Sequence, residues 1–209
     1  MTYEQRKQER QALIDHLLAQ DWNVFGTLKF ANGRTIGRSN ADKLLRSYWN
    51  RIDRMFFGKA AERQNMRVPR WCFAHEGSDS ENYHIHFALQ APIPDVDHMC
   101  CTLNAVWAQH HNQTAPLFKN WIMPVTDRTA VASYLTREYW RLGSDTFLDA
   151  MSWDDQTAAN VFKDFNHLKQ AQRIQRASSP LWLQQAQQAL NTQQARYEAS
   201  GDLQMMERG

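Results

Sequence analysis

Cysteine is scarce in this chain, three among 209 residues, and two of them, Cys100 and Cys101, are adjacent. That excludes a small scaffold stapled by disulfides, so a core must hold the fold. No apolar run approaches the ~20 residues of a membrane span. The opening residues, Met1 to Lys7, lead into a polar stretch and not into the ~7–15-residue apolar core of a secretion signal. These absences set the expectation of a soluble, cytoplasmic protein. No Gly-x4-Gly-Lys-Ser/Thr phosphate loop occurs, which excludes an NTP-driven motor of that type. No internal repeat is visible, so a solenoid is excluded too.

What is present suits a globular domain. Apolar residues make up 43% and aromatics 11%, enough to bury one core with an appendage attached. The net charge of +2 hides an asymmetry: residues 34–70 hold 10 basic and 3 acidic side chains. A surplus of that size on one segment is an electrostatic footprint for a polyanion.

Hydrophobic periodicity orders the elements. Residues 3–20 read as a helix with Leu13, Ile14, Leu17 and Leu18 on one face. Trp22 to Phe30 alternates as a strand, with Thr27 and Lys29 on one side and Val24, Leu28 and Phe30 on the other. Ser39 and Asn40 offer N-caps to a long helix whose apolar stripe runs through Leu44, Leu45, Tyr48, Trp49, Ile52, Met55 and Phe56. Lys43, Arg46, Arg51 and Arg54 fall largely off that stripe, free to meet phosphate. Strands follow over 70–76 and 83–90, joined by a polar hairpin loop. A helix spans about 95–110, a fourth strand 117–125, and Asp127 or Thr129 caps a helix running to about Arg141.

The order strand, helix, strand, strand, helix, strand, helix predicts the α+β class and a ferredoxin-like antiparallel sheet built on split β-α-β units. The expected organisation is a domain over 1–143, with its core in 22–141, and a helical C-terminal appendage over 144–209. That appendage contains helices near 152–176 and 180–198.

The chemistry concentrates in Trp71-Cys-Phe-Ala-His-Glu76 and Tyr83-His-Ile-His-Phe87. Alternation turns His84 and His86 to one strand face, about 6–7 Å apart, where two imidazoles can converge on a divalent ion. If Trp71 and Phe73 point inward, Glu76 joins the pair as an oxygen ligand. A register shifted by one would bring His75 there instead. A chance His-x-His is expected roughly 0.3 times in such a chain, so placement on a strand with a third donor opposite carries the signal.

Further along, Tyr134 and Arg137 are three apart on a predicted helix and therefore neighbours. A phenol attacking a phosphodiester needs its developing charge and that of the phosphate offset, which a guanidinium and a metal supply. Tyr139, five residues on, points about 140° away from Tyr134 on a continuous helix.

Taken together, Phe25-Gly-Thr-Leu-Lys-Phe30, His84-Ile-His86 and Tyr134-Leu-Thr-Arg137 resemble, in order, the three motifs of HUH endonucleases. The branch they look most like is the rolling-circle replication initiators, and the resemblance covers about residues 22–141. It implies that Glu76, His84 and His86 hold Mn²⁺ or Mg²⁺, and that Tyr134 becomes joined to a 5′ phosphate of single-stranded or hairpin DNA. Nicking and rejoining by that route would initiate rolling-circle replication of a plasmid or phage. Lys29, with Thr27, becomes a DNA contact, and the missing motor implies a separate host helicase. Two departures stand out. Arg137 occupies a position where the family often has lysine, and a guanidinium is no general acid. Glu138 stands where two-tyrosine members carry the second tyrosine, which favours a single-tyrosine enzyme and makes Glu138 a candidate metal or water contact. A single-tyrosine transposase of the same family is the nearest alternative. A relaxase would need a tyrosine such as Tyr3, which lacks apolar support. A non-catalytic nucleic-acid module would need base-stacking aromatics on an open sheet face.

Overall fold

The computed structural model describes residues 2–76, 83–154 and 180–201. Thr2 caps the first helix, α1 (Tyr3–Ala19): its hydroxyl accepts from the Gln5 N–H while the Gln5 side chain accepts from the Thr2 N–H. There follow β1 (Val24–Lys29), α2 (Arg38–Phe57), the single turn α3 (Ala60–Arg63), β2 (Arg70–His75) and β3 (His84–Leu89). Beyond them lie α4 (Val96–His110), β4 (Trp121–Pro124), α5 (Arg128–Leu135), α6 (Tyr139–Leu142) and α7 (Pro180–Ser200).

The four strands form one antiparallel sheet in the order β2-β3-β1-β4. Strands β1 and β2 run the same way on either side of β3, and α2 joins them. Strands β3 and β4 flank β1 in the same manner, joined by α4. These are two interlocked split β-α-β units, the α+β arrangement that the element order predicts.

Alternation gives the sheet two faces. One carries Val24, Gly26, Leu28, Ile85, Phe87, Leu89, Cys72 and Ala74, all buried. Helices α2 and α4 cover it: the Trp49 ring meets Phe87 edge-on at 5.3 Å, and Tyr48 meets Trp107 at 5.1 Å. The Trp107 indole N–H donates to the Lys29 carbonyl at 2.8 Å, tying α4 to the end of β1. Gly26 pairs across the sheet with Phe87. A Cβ at Gly26 would run into the Phe87 ring, so glycine is what lets that ring lie over the central strand. Helix α2 is pinned to the start of β2 by Asp53, whose buried carboxylate accepts from Arg70 at 2.7 and 3.0 Å and from the Val68 N–H at 2.9 Å.

The second face carries Phe25, Thr27, Lys29, His84, His86, Trp71, Phe73, His75, Trp121 and Met123. It is covered as well. Tyr134 of α5 packs on it, and Phe147 meets Phe73 at 5.4 Å. The chain after Gly143 then follows the outer edge of β2: Leu148 N–H donates to Cys72 O, while Arg70 and Trp153 exchange backbone bonds of 2.8 and 2.7 Å. The edge strand is thereby paired and protected.

Several expectations are corrected. The N-cap of α2 is Gly37 at φ +69°, so Ser39 and Asn40 lie inside the first turn and cap nothing. The fourth strand is shorter than 117–125, because Leu117–Lys119 forms a 3-10 turn before it. The helix expected to reach Arg141 breaks after Leu135, and α6 begins at Tyr139. Beyond Gly143, where the C-terminal appendage is expected to begin, Phe147 and Trp153 bridge to β2. Helix α7 is seated on α4 and β4 through buried Ala186, Leu190 and Gln193. The loop expected over 77–82 and the helix expected over 152–176, from residue 155 on, lie outside the described residues.

Candidate metal centre

Cross-strand register assembles the site. His75 lies opposite His84 and Phe73 opposite His86, and residues directly opposite in an antiparallel pair share a face. The parity expected for β2 is therefore reversed. Trp71, Phe73 and His75 face the histidine pair, while Cys72 and Ala74 face α2 and α4. Both sets are buried, so burying Trp71 and Phe73 does not choose between the faces. A strand covered on both sides loses the alternation that would set its parity.

The result is a buried triad of His75, His84 and His86, in which one ligand atom from each lies within 4.8 Å of the other two. The ring centroids are 4.2, 4.8 and 5.2 Å apart. Three nitrogen donors so placed fit one divalent ion after small side-chain adjustment. Glu76 stands beyond the end of β2, exposed, with its carboxylate 3.8 Å from Arg141. Among the described residues it is not part of the cluster that could share an ion.

The rings of His86 and His75 are held by polar partners. Thr27, opposite His86 on β1, places its hydroxyl 2.9 Å from His86 Nδ1. Glu138 Oε1 lies 3.2 Å from His75 Nδ1, and Arg141 Nε is 3.3 Å from the other oxygen of Glu138. Arg137 Nε also reaches that Nδ1, at 3.4 Å, so the ring is held between a carboxylate and a guanidinium, with Nε2 as its second nitrogen. Arg137 Nη2 sits 2.8 Å from that Nε2. Arg137 and Glu138, both half-buried, together with exposed Arg141 and Glu76 make the polar rim of the site.

Tyr134 lies beside the triad. Its ring is 5.0 Å from that of His86 and meets Phe25 edge-on at 5.7 Å. The Arg137 guanidinium lies 4.5 Å from the Tyr134 ring centre. Arg137 is in the turn that ends α5 and not on a continuing helix, yet its N–H donates to Tyr134 O at 3.2 Å, which keeps the two side chains together. From α1, Arg10 donates to the Ser133 and Thr136 carbonyls at 2.8 and 3.1 Å. Those carbonyls lie at the α5 C-terminus, where an arginine adds a donor and suits the helix dipole.

The other tyrosine takes a different role. Tyr139 donates to Glu9 of α1 at 2.7 Å, and burial with that carboxylate raises its hydroxyl to about 12. The buried Cys72 thiol is likewise pushed up to about 12, chiefly by burial, which makes it a poor nucleophile.

Of the residues expected to contact DNA, Thr27 and Lys29 share the histidine face, with Lys29 opposite His84. Lys43, Arg46, Arg51 and Arg54 belong to α2, which packs on the opposite face; Lys43 and Arg46 are exposed, and Arg54 pairs with Glu62. Reading spacing alone does not find Arg141, whose contact with Glu138 depends on the break between α5 and α6. Among the described residues no helix is long and apolar enough to cross a membrane. No protein-family model, no curated protein and no solved structure matches this chain.

Proposed function

We propose that the chain is a nicking and joining enzyme of the HUH type, acting on single-stranded or hairpin DNA in the manner of a rolling-circle replication initiator. The observation that carries this reading is the contact of Tyr134 with His86 of a buried three-histidine cluster, with a guanidinium against the same tyrosine. In the reaction the Tyr134 oxygen bonds to phosphorus and gives up its proton. The bond from phosphorus to the 3′ oxygen breaks, and that oxygen takes a proton to become a free hydroxyl. The 5′ phosphate stays on the tyrosine until another 3′ hydroxyl attacks it and regenerates the phenol.

The chain's own groups divide the work. Arg137 offsets phosphate charge and, as a permanent cation, leaves proton transfer to other groups. Thr27 and Glu138 orient His86 and His75. Lys29 offers a second cation on the same face for the backbone of the strand. His75, His84 and His86 would hold the divalent ion, which when bound supplies Lewis-acid polarisation of a phosphate oxygen. With His75 in the place expected for Glu76, the donors are all nitrogen. Such a set suits first-row transition ions, Mn²⁺ among them, better than Mg²⁺, which prefers oxygen. The burial of the histidine face under α5 argues against a non-catalytic module that stacks bases on an open sheet.

The test is incubation of the protein with labelled single-stranded oligonucleotides and Mn²⁺, followed by a denaturing gel. A labelled protein band that survives detergent, and is lost in Tyr134→Phe, is expected. A band of undiminished intensity in that variant would remove Tyr134 from the chemistry.

A further inference from the structure

A groove of about 870 Å³ lies between α7 and the loop that carries the 3-10 turn before β4. That volume is within the ~300–1,000 Å³ range of ligand clefts. One wall presents Phe118 and Lys119, and the other presents Gln185, Gln188, Thr192 and Arg196 from one face of α7. Phe118 is 72% exposed, unusual for a large aromatic. Lys119 and Arg196 are exposed, and neither is ion-paired among the described residues. No carboxylate is among the residues that line the groove.

The groove is fastened to the strand that serves the histidine triad. Ala115 N–H donates to Lys29 O at 3.0 Å, Lys29 N–H donates to Asn120 Oδ1 at 3.1 Å, and Thr114 bridges to Phe30. Its floor is tied to β4: Gln193 of α7 accepts from Ile122 N–H and donates to Asn120 O. Asn120 in turn donates to Asn104 of α4. Lys29, which shares the triad's sheet face, is thus joined to the loop bearing Phe118 and Lys119 by one backbone bond and one bond to the Asn120 side chain, with a bridge from the neighbouring Phe30.

We propose that this groove is a second contact site for single-stranded DNA, holding the strand that passes Lys29 on its way from the triad. Phe118 stacks a base, Lys119 and Arg196 hold phosphates, and the α7 glutamines face base edges. An exposed aromatic flanked by unpaired cations and amides is the combination that single strands use, because every base offers a π face and every linkage a charge. The inference rests on the proposed action on single-stranded DNA, and it adds where the uncut flank lies.

The test is fluorescence anisotropy with a labelled oligothymidylate, together with the denaturing-gel assay. Phe118→Ala is expected to weaken binding about tenfold, the loss of one stacked base, and Phe118→Trp to retain it. The double variant Lys119→Ala, Arg196→Ala is expected to make the slope of log K against log salt shallower by about 1.4, the share of two phosphates. All three positions are exposed, so circular dichroism should show an unchanged fold. Wild-type affinity and slope in every variant would overturn the groove, and if the Tyr134 adduct still forms, the proposed chemistry survives that result. Weakened binding in Phe118→Ala with no adduct in the wild type would keep the groove and remove the chemistry. Absence of any oligonucleotide binding by the wild type would overturn the groove outright.

Discussion

His75 shows how much one side chain depends on its neighbours. In the proposed metal site its ring is oriented by Glu138 at Nδ1, and Arg141 pairs with Glu138 in turn. Partners of this kind typically contribute 10–100-fold to metal affinity. Glu138→Ala is accordingly expected to weaken Mn²⁺ binding about 10–100-fold by calorimetric titration, with the far-ultraviolet spectrum unchanged. His75→Ala should weaken it further, whereas Glu76→Ala should leave it near the wild-type value. If Glu76→Ala were the more damaging of the two, the ligand set drawn from the strand register would be wrong.

Among the elements, α5 and α6 are positioned by α1 through Arg10 and through Tyr139 with Glu9. The folded chain raises the Tyr139 hydroxyl from its ordinary 10 to about 12, so the fold favours the neutral phenol. The stability this bond contributes is complete below pH 10 and is lost as pH climbs from 10 to 12. Thermal melts in that window should fall less steeply for Tyr139→Phe than for the wild type. Within the sheet, Gly26→Ala would drive a methyl into the Phe87 ring. A loss of about 1–3 kcal/mol in urea unfolding is expected, the usual cost of overpacking. Helices α2 and α4 and strands β1 and β3 were legible as elements because each carries a local period that matches its structure. The α2 cap and the break after Leu135 were not. Gly37 opens α2 at a positive φ that no period marks, and the Thr136–Glu138 turn carries a bond from a distant part of the chain, that from Arg10 to the Thr136 carbonyl.

At the level of the whole molecule, α7 belongs to the same core as the sheet: Ala186 and Leu190 are almost fully buried against it. Leu190→Ala should cost about 2–5 kcal/mol and lower the midpoint of a single unfolding transition. Loss of α7 helicity in a separate, earlier step would show that it unfolds independently of the sheet. Composition alone cast this glutamine-rich helix as an accessory. Its few apolar residues reveal their use only against α4 and β4, and its buried Gln193 only against the backbone of β4.

From the sequence alone came the order of strands and helices, the placement of His84 and His86 on one strand face, and Tyr134 with Arg137 as neighbours. These are local properties, determined by a period of two or by a few residues of spacing. The tertiary structure alone decided that His75 rather than Glu76 joins the pair, that α5 closes over the histidines, and that α7 walls a groove beside Lys29. The parity of one strand against another is a matter of which backbone bonds form between distant residues. A strand apolar on both faces carries no local mark of that choice.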